Sequence, residues 1–222
     1  MEQYGLPDKA FGQLLSILQS LAGEHAPTAV KAPGEAVDVH IADSLSGLET
    51  VKEANHERIA DIGSGCGIPG LVLAVALPGS EVIAVEAQRR KCEFVEEAAA
   101  AAGLDNVRSA WSRAEEWHDG FNTCDVVTAR ALADLPVVME YAAPLLGLGG
   151  RMVAWKGKLD DGELERGLKA SAVLNLTAPQ VAEVKPWGAG GVRRLVICER
   201  DGDLPEVFPR RAGIATKRPL GS

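Results

Sequence analysis

The sequence predicts an α/β fold: a mostly parallel sheet covered by helices on both faces, finished by an antiparallel hairpin and preceded by a small helical cap. Two observations carry this. From Arg58 onward, short apolar runs rich in β-branched residues alternate with stretches of helical spacing, as βαβ units do. The last two runs, beyond residue 180, leave no room between them for a crossover helix, so they must pair antiparallel.

Each element has its own signal. Leu14, Leu15, Ile17, Leu18 and Leu21 recur at helical spacing between Pro7 and Gly23 and predict a helix over 7–22. A turn-rich stretch runs from Ala26-Pro27 through Pro33-Gly34. Val37, Ile41, Leu45 and Leu48 then repeat at i, i+4, i+8 and i+11, predicting a second helix with His40, Asp43 and Ser44 within one turn. Residues 1–55 make up the cap. Strands are expected over 59–62, 81–85 (with Glu86 at its end), 107–110, 125–128 and 151–155, and helices over 70–77, 89–102 and 135–146. Near-continuous apolar strands are those buried on both faces. A charged helix over 160–172 precedes the closing strands, 181–184 and 194–198, whose loop contains Gly188, Gly190 and Gly191. Residues 56–207 form the main domain and 208–222 a basic tail. An all-parallel dinucleotide fold does not end in a hairpin; the class I (Rossmann-like) methyltransferase sheet does.

Composition sets outer bounds. A chain of 222 residues with 46% hydrophobic and 24% charged residues is one globular domain, not a disordered chain, a coiled coil or a disulfide scaffold. No apolar run reaches the roughly 18 residues of a membrane span, and Met1-Glu2-Gln3-Tyr4 lacks the basic-then-apolar order of a signal peptide. The chain reads as a cytoplasmic monomer. Cys66, Cys92, Cys124 and Cys198 form no CxxC pair and read as free thiols; the four histidines are scattered without an HExxH, so no metal is expected.

The net charge of −8 argues against nucleic acid as a partner. Its distribution alters that. Residues 193–222 hold seven basic residues against four acidic ones, +3, which leaves −11 for residues 1–192. The whole-chain figure averages two faces and leaves room for a few phosphate contacts.

The sharpest motif is Asp61-Ile62-Gly63-Ser64-Gly65-Cys66-Gly67-Ile68-Pro69-Gly70, where a strand hands over to a helix. Its glycines permit positive φ and close backbone approach, and the helix N-terminus suits an anionic group. Pro69 fits the first helical turn. Gly67 comes four residues after Gly63, and Ile68 stands where the dinucleotide fingerprint ends in glycine. With Asp61 in front, the pattern D-x-G-x-G-x-G favours S-adenosylmethionine over NAD. Glu86, 23 positions after Gly63, is placed to accept from both ribose hydroxyls, the alternative being a solvated strand-end carboxylate. Asp61 reads equally as a ligand contact or as a buried acceptor that holds the turn.

The segment after the fourth strand narrows the acceptor. Amino-group methyltransferases carry Asn/Asp-Pro-Pro-aromatic there, and pyrimidine-C5 enzymes need a cysteine nucleophile. This chain has Thr128-Ala129-Arg130-Ala131-Leu132, and Cys124 sits at the wrong end of the strand, roughly 15 Å away at about 3.3 Å per residue.

His40-Ile41-Ala42-Asp43-Ser44-Leu45, the loop from Asp61 to Gly70, Ser112-Arg113-Ala114-Glu115-Glu116, Thr128-Ala129-Arg130-Ala131, Ala154-Trp155-Lys156-Gly157 and Phe208-Pro209-Arg210-Arg211-Ala212-Gly213 together resemble the ribosomal RNA small subunit methyltransferase G family, also called glucose-inhibited division protein B. The resemblance spans nearly the whole chain. It implies S-adenosylmethionine-dependent methylation of guanine N7 in 16S rRNA, acting on the free RNA or the small ribosomal subunit. It places cofactor contacts at Gly63, Ile68, Ala114, Glu115 and Arg130; Gly65, Gly67 and Glu86 join them on the physical argument above. The chain departs from the family over 31–39, which lacks an Asn-Leu-Thr sequence.

Guanine N7 carries no proton, so the reaction needs no general base, and the lack of a catalytic His or paired carboxylates agrees with it. Arg130 is expected to bridge cofactor and RNA. Lys156, Arg210, Arg211 and His40 are candidates for substrate contact; for His40 and Asp43 a mutual hydrogen bond that pins the cap is the competing reading. Trp155 and Trp187 are expected to pack rather than to stack on bases. Two rivals remain: a small-molecule methyltransferase of the same fold, and a binding module with a degenerate cofactor site such as a ribosome-assembly factor. The tail separates the first, since from Phe208 onward Arg210, Arg211, Lys217 and Arg218 meet no acidic residue in sequence.

Overall fold

The computed structural model describes residues 4–187 and 191–222. Seven strands among them form one sheet: β1 Arg58–Ile62, β2 Glu81–Glu86, β3 Val107–Trp111, β4 Cys124–Arg130, β5 Leu146–Lys156, β6 Gln180–Val184 and β7 Arg193–Glu199. The order is β3-β2-β1-β4-β5-β7-β6. The first five are parallel, and β7 runs antiparallel to both β5 and β6, which is the expected class I methyltransferase arrangement. Gly188 and Gly190 of the hairpin loop lie outside the described residues, as do Met1, Glu2 and Gln3.

The helices are α1 Ala10–Ala22, α2 Pro33–Ala36, α3 Asp43–Leu45, α4 Leu48–Lys52, α5 Gly70–Ala76, α6 Arg89–Ala101, α7 Leu135–Ala142, α8 Asp161–Val173 and α9 Ile214–Lys217, with a π-helical turn, Val37–Ala42, joining α2 to α3. Alternating side chains of each strand divide between the sheet's two faces. Ile59, Val82, Ala84, Val126 and Val153 pack with the apolar sides of α1, α5 and α6. Ile62, Val85, Val127, Met152 and Val196 pack beneath α7, α8 and α9. Asp160 caps α8, its carboxylate accepting from Glu163 N at 2.8 Å.

Four differences from the sequence expectation have physical causes. The first helix starts at Ala10, whose N–H bonds Pro7 O at 2.9 Å. Ile41, Leu45 and Leu48 are buried as expected, but the backbone beneath them is not one regular helix: it passes through the π turn and breaks at Gly47, whose Cα abuts the Trp155 indole. The helix predicted to reach 146 ends at Ala142, because Pro144 has no N–H to continue it, and Leu146 already belongs to β5. Neither the cap nor the tail stands apart. Leu14, Ile17, Leu21, Ile41 and Leu45 share one apolar cluster with Leu71 and Val95, and Ala215 lies fully within the cluster on the opposite face, flanked by Phe208 and Leu220.

Candidate active site

Helix placement switches sides between β1 and β4, and ligands of open α/β sheets bind beyond the strand ends at such a point. A cavity of about 360 Å³ opens there. Its wall is assembled from the segments that leave the strand ends: Gly63 after β1, Glu86 to Gln88 and Lys91 after β2, Ser112 to Glu115 after β3, and Ala131 to Ala133 after β4, with Tyr141 of α7 and Thr216 of α9 closing it.

Two carboxylates organise the loop and the strand end beside the cavity. Asp61 is 1% exposed; it accepts from Thr128 Oγ1 at 2.8 Å and from Gly70 N at 3.1 Å. Of its two readings, the buried acceptor is the one seen. Burial raises its carboxyl to about 6, against the pull of these hydrogen bonds. The first N–H of α5 is therefore held by the protein's own carboxylate, and the anionic ligand expected at that helix end has no open donor at Gly70. Pro69 stands one residue outside α5, where its carbonyl accepts from Leu73 N at 3.0 Å.

Glu86 faces the cavity. One oxygen accepts from Gly65 N at 3.1 Å and the other from Gln88 N at 2.9 Å, with Lys91 Nζ 3.8 Å away. Each oxygen keeps lone pairs for a ligand. Gly63 sits at φ +61 with Leu132 so close that a Cβ would lie 2.5 Å from its Cδ1, so a side chain here would both strain the turn and fill the cradle.

Of the expected cofactor residues, Gly63, Glu86, Ala114 and Glu115 line the cavity, and Gly65 contributes by orienting Glu86. Gly67, Ile68 and Arg130 do not line it. Gly67 packs against Leu71 and Val95, and Ile68, 4% exposed, belongs to the apolar cluster beneath the loop. One oxygen of the Glu115 carboxylate accepts from Gly213 N at 3.0 Å.

Arg130 ends β4 instead of lying beyond it. Its Nη1 donates to Asp43 Oδ2 at 2.8 Å and to Val39 O at 2.6 Å, while Ala131 takes φ +51, an uncommon conformation for a residue with a Cβ, and turns the chain onto the cavity wall. Asp43 also receives Arg193 Nε at 3.0 Å, and its carbonyl receives Trp155 Nε1 at 2.9 Å.

These contacts correct several expectations. The cap is pinned through Asp43 and not through a His40–Asp43 bond. His40 is 2% exposed, with Nε2 beside Val30 O at 3.2 Å; burial lowers its pKa, and it does not line the cavity. Lys156 is not free for phosphate: its ammonium is held by Glu163 at 2.6 Å and Ala133 O at 3.0 Å. Arg210 is likewise taken, by both oxygens of Glu140. Arg211 is exposed. Trp155 is buried, and Trp187 packs on Tyr4 at 5.7 Å between ring centroids. All four thiols are raised by burial, Cys198 to about 12, so none is a thiolate at neutral pH.

Sequence reasoning missed Gln88, Lys91, Ser112, Arg113, Leu132, Ala133, Tyr141 and Thr216 among the lining residues. Most of them come directly after a strand, and the rule that ligands sit beyond the strand ends was the available signal. Tyr141 and Thr216 carried none.

The family model for rRNA small subunit methyltransferase G matches residues 8–187. A ribosomal RNA small subunit methyltransferase G of Syntrophomonas wolfei is 37% identical over 188 residues, covering 83% of this chain and 86% of that protein. The protein of the same name from Deinococcus radiodurans is 35% identical over 221 residues, covering 96% and 85%. Among solved structures, a SAM-dependent O-methyltransferase from Thermotoga maritima is similar in fold, with TM-score 0.59 at 19% identity over 74% of this chain and 66% of that one. A precorrin-6y C5,15-methyltransferase from Geobacter metallireducens gives 0.55 at 17%, over 71% and 86%.

Proposed function

Since the chain belongs to the rRNA small subunit methyltransferase G family, we propose that it methylates N7 of a guanine in 16S rRNA. Fold and family make S-adenosylmethionine the cofactor, and the cavity suits it. The observation that carries this reading is Glu86, a buried carboxylate at the end of β2 already oriented by two backbone N–H groups. Its free lone pairs fit paired ribose hydroxyls. The side-chain-free face of Gly63 and the backbone of Ser112 to Ala114 form the rest of the cradle.

When bound, S-adenosylmethionine supplies an electrophilic methyl group on a sulfonium. Guanine N7 offers a lone pair and no proton, so no residue is asked to act as a base. The chain's task is alignment, which can contribute on the order of 7–11 kcal/mol. Neither His40, which lies outside the cavity, nor the thiols, which burial keeps protonated, are asked to exchange a proton in this step.

Arg130 is the residue assigned to the substrate. Asp43 and Val39 hold Nη1, which fixes the guanidinium plane and leaves Nε and Nη2 to donate. A bidentate fork on O6 and N7 would cover the atom to be methylated, so Arg130 contacts O6 alone or a flanking phosphate. The base enters unstacked from a single-stranded segment. The test is transfer of labelled methyl from the cofactor to small ribosomal subunits and to naked 16S rRNA. Label in the RNA supports the proposal; label confined to small metabolites overturns it.

A further inference from the structure

Residues 208–222 reach the rim of the cavity with their inner side committed to the protein. Arg210 forks the carboxylate of Glu140, which is 2% exposed, and also donates to Arg218 O at 3.0 Å. Gly213 N donates to Glu115, Ala215 is 3% exposed, and Thr216 lines the cavity itself. The outer side is the opposite in character. Arg211, Lys217 and Arg218 are exposed and form no ion pair among the described residues, and the last acidic residue of the chain is Glu206. Some exposed bases elsewhere pair with carboxylates, Arg89 with Glu93, Arg108 with Glu81 and Lys169 with Glu165, while Lys9, Arg90, Lys158 and Lys185 form no ion pair among the described residues; the tail cations differ from these in lying beside Thr216 on the cavity wall.

We propose that Arg211, Lys217 and Arg218 form a phosphate-binding face for the RNA strand that presents the base to the cavity. The inference rests on the rRNA reading above and names the surface that holds the RNA. The latches at Glu140 and Glu115 set these cations at a fixed place beside Thr216, and Arg113, exposed on the cavity wall, extends the same positive rim. Solvated guanidinium and ammonium groups without an aromatic platform read phosphate charge and not base identity, so this face supplies affinity and register while the cavity selects the base.

The test uses the full chain with Arg211→Ala, Lys217→Ala and Arg218→Ala combined, and a second variant, Arg211→Lys/Lys217→Arg/Arg218→Lys, that keeps the charge. Binding is measured to small ribosomal subunits and to naked 16S rRNA across a salt series, and cofactor affinity by calorimetry. The expected result is at least tenfold weaker RNA binding for the alanine variant at about 0.1 M salt. Its log–log salt slope becomes shallower by about two, at roughly 0.7–0.9 per lost contact. Cofactor affinity stays within twofold, and the charge-preserving variant binds RNA like the parent. Unchanged RNA affinity and slope in the alanine variant overturn the inference. If the parent labels RNA while that happens, only this surface is wrong; if the parent labels no RNA, the broader reading falls and takes the surface with it.

Discussion

Arg130 at the end of β4 and Asp43 in the cap, 87 residues apart in sequence, meet as an ion pair with Nη1 2.8 Å from Oδ2. Asp43 holds Arg193 on its other oxygen at 3.0 Å, so one carboxylate of the cap fixes two cations of the sheet. Asp43 is thus a positioning residue for Arg130. Asp43→Asn should lower kcat for RNA methylation at least tenfold while cofactor affinity, read by calorimetry, stays within twofold. It should also cost about 2 kcal/mol of stability, because the partly buried cations lose their counter-charge. Unchanged kcat would show that the pair only fastens the cap.

Arg130→Ala should abolish most methyl transfer while leaving the fold intact. Arg130→Lys should restore little, since one ammonium cannot hold Asp43 and Val39 while still donating to a substrate. Activity of the alanine variant within twofold of the parent would remove Arg130 from the reaction.

At Glu86 the expected loss is in binding. Glu86→Ala removes the acceptor for Gly65 N and Gln88 N as well as the ribose contact, and cofactor Kd should rise at least tenfold. Glu86→Gln should fall between, because its carbonyl still accepts one hydrogen bond. Gly63→Ala should also weaken the cofactor, through a positive φ and the clash with Leu132; adding Leu132→Ala should recover part of the loss by opening the space, with the backbone strain of about 1 kcal/mol remaining.

Much of this was legible in the sequence, and the reasons are physical. Strand ends, the glycine loop and the closing hairpin depend on local period and spacing, so β1 to β7 fall within a few residues of where the pattern sets them, apart from the N-terminal extension of β5 from 151 to Leu146. Glu86 was readable because its distance from Gly63 is fixed by one βα unit. Pairing across the chain was not readable. Lys156 looked available until Glu163 was brought beside it, and Arg210 until Glu140, 70 positions earlier, came to meet it. A basic cluster in sequence says nothing about which of its members the fold neutralises. The π turn at Val37–Ala42 escaped for a similar reason, since i, i+4 spacing cannot tell α from π winding.

The Arg210–Glu140 pair predicts a stability effect. Arg210→Met leaves the Glu140 carboxylate buried without its partner, and thermal unfolding should register a loss of about 3 kcal/mol. Arg210→Met/Glu140→Met should recover a good part of it, as replacing a buried pair by apolar groups often does. A single variant as stable as the parent would contradict the buried latch.

Asp61 predicts a pH dependence. Its carboxyl is raised in the folded state from 3.8 to about 6, so the folded protein holds this proton more tightly than the unfolded chain does. The stabilising contribution is fully present below about pH 4 and is lost as pH rises to about 6. Denaturant titrations of the parent and Asp61→Asn should therefore show their difference moving in favour of Asp61→Asn across that window, by up to about 3 kcal/mol. A difference that does not change with pH would place the Asp61 carboxyl at its ordinary value.

The most direct test of the account is where the methyl group lands. After incubation with labelled cofactor, 16S rRNA from small subunits and from naked RNA is treated to cleave the strand at N7-methylguanine, and the cleavage sites are mapped. The account predicts scission at a guanine, largely lost in Arg130→Ala and, at cofactor concentrations below the raised Kd, weakened in Glu86→Ala. Label that resists such cleavage, or that resides in pyrimidines, would contradict it.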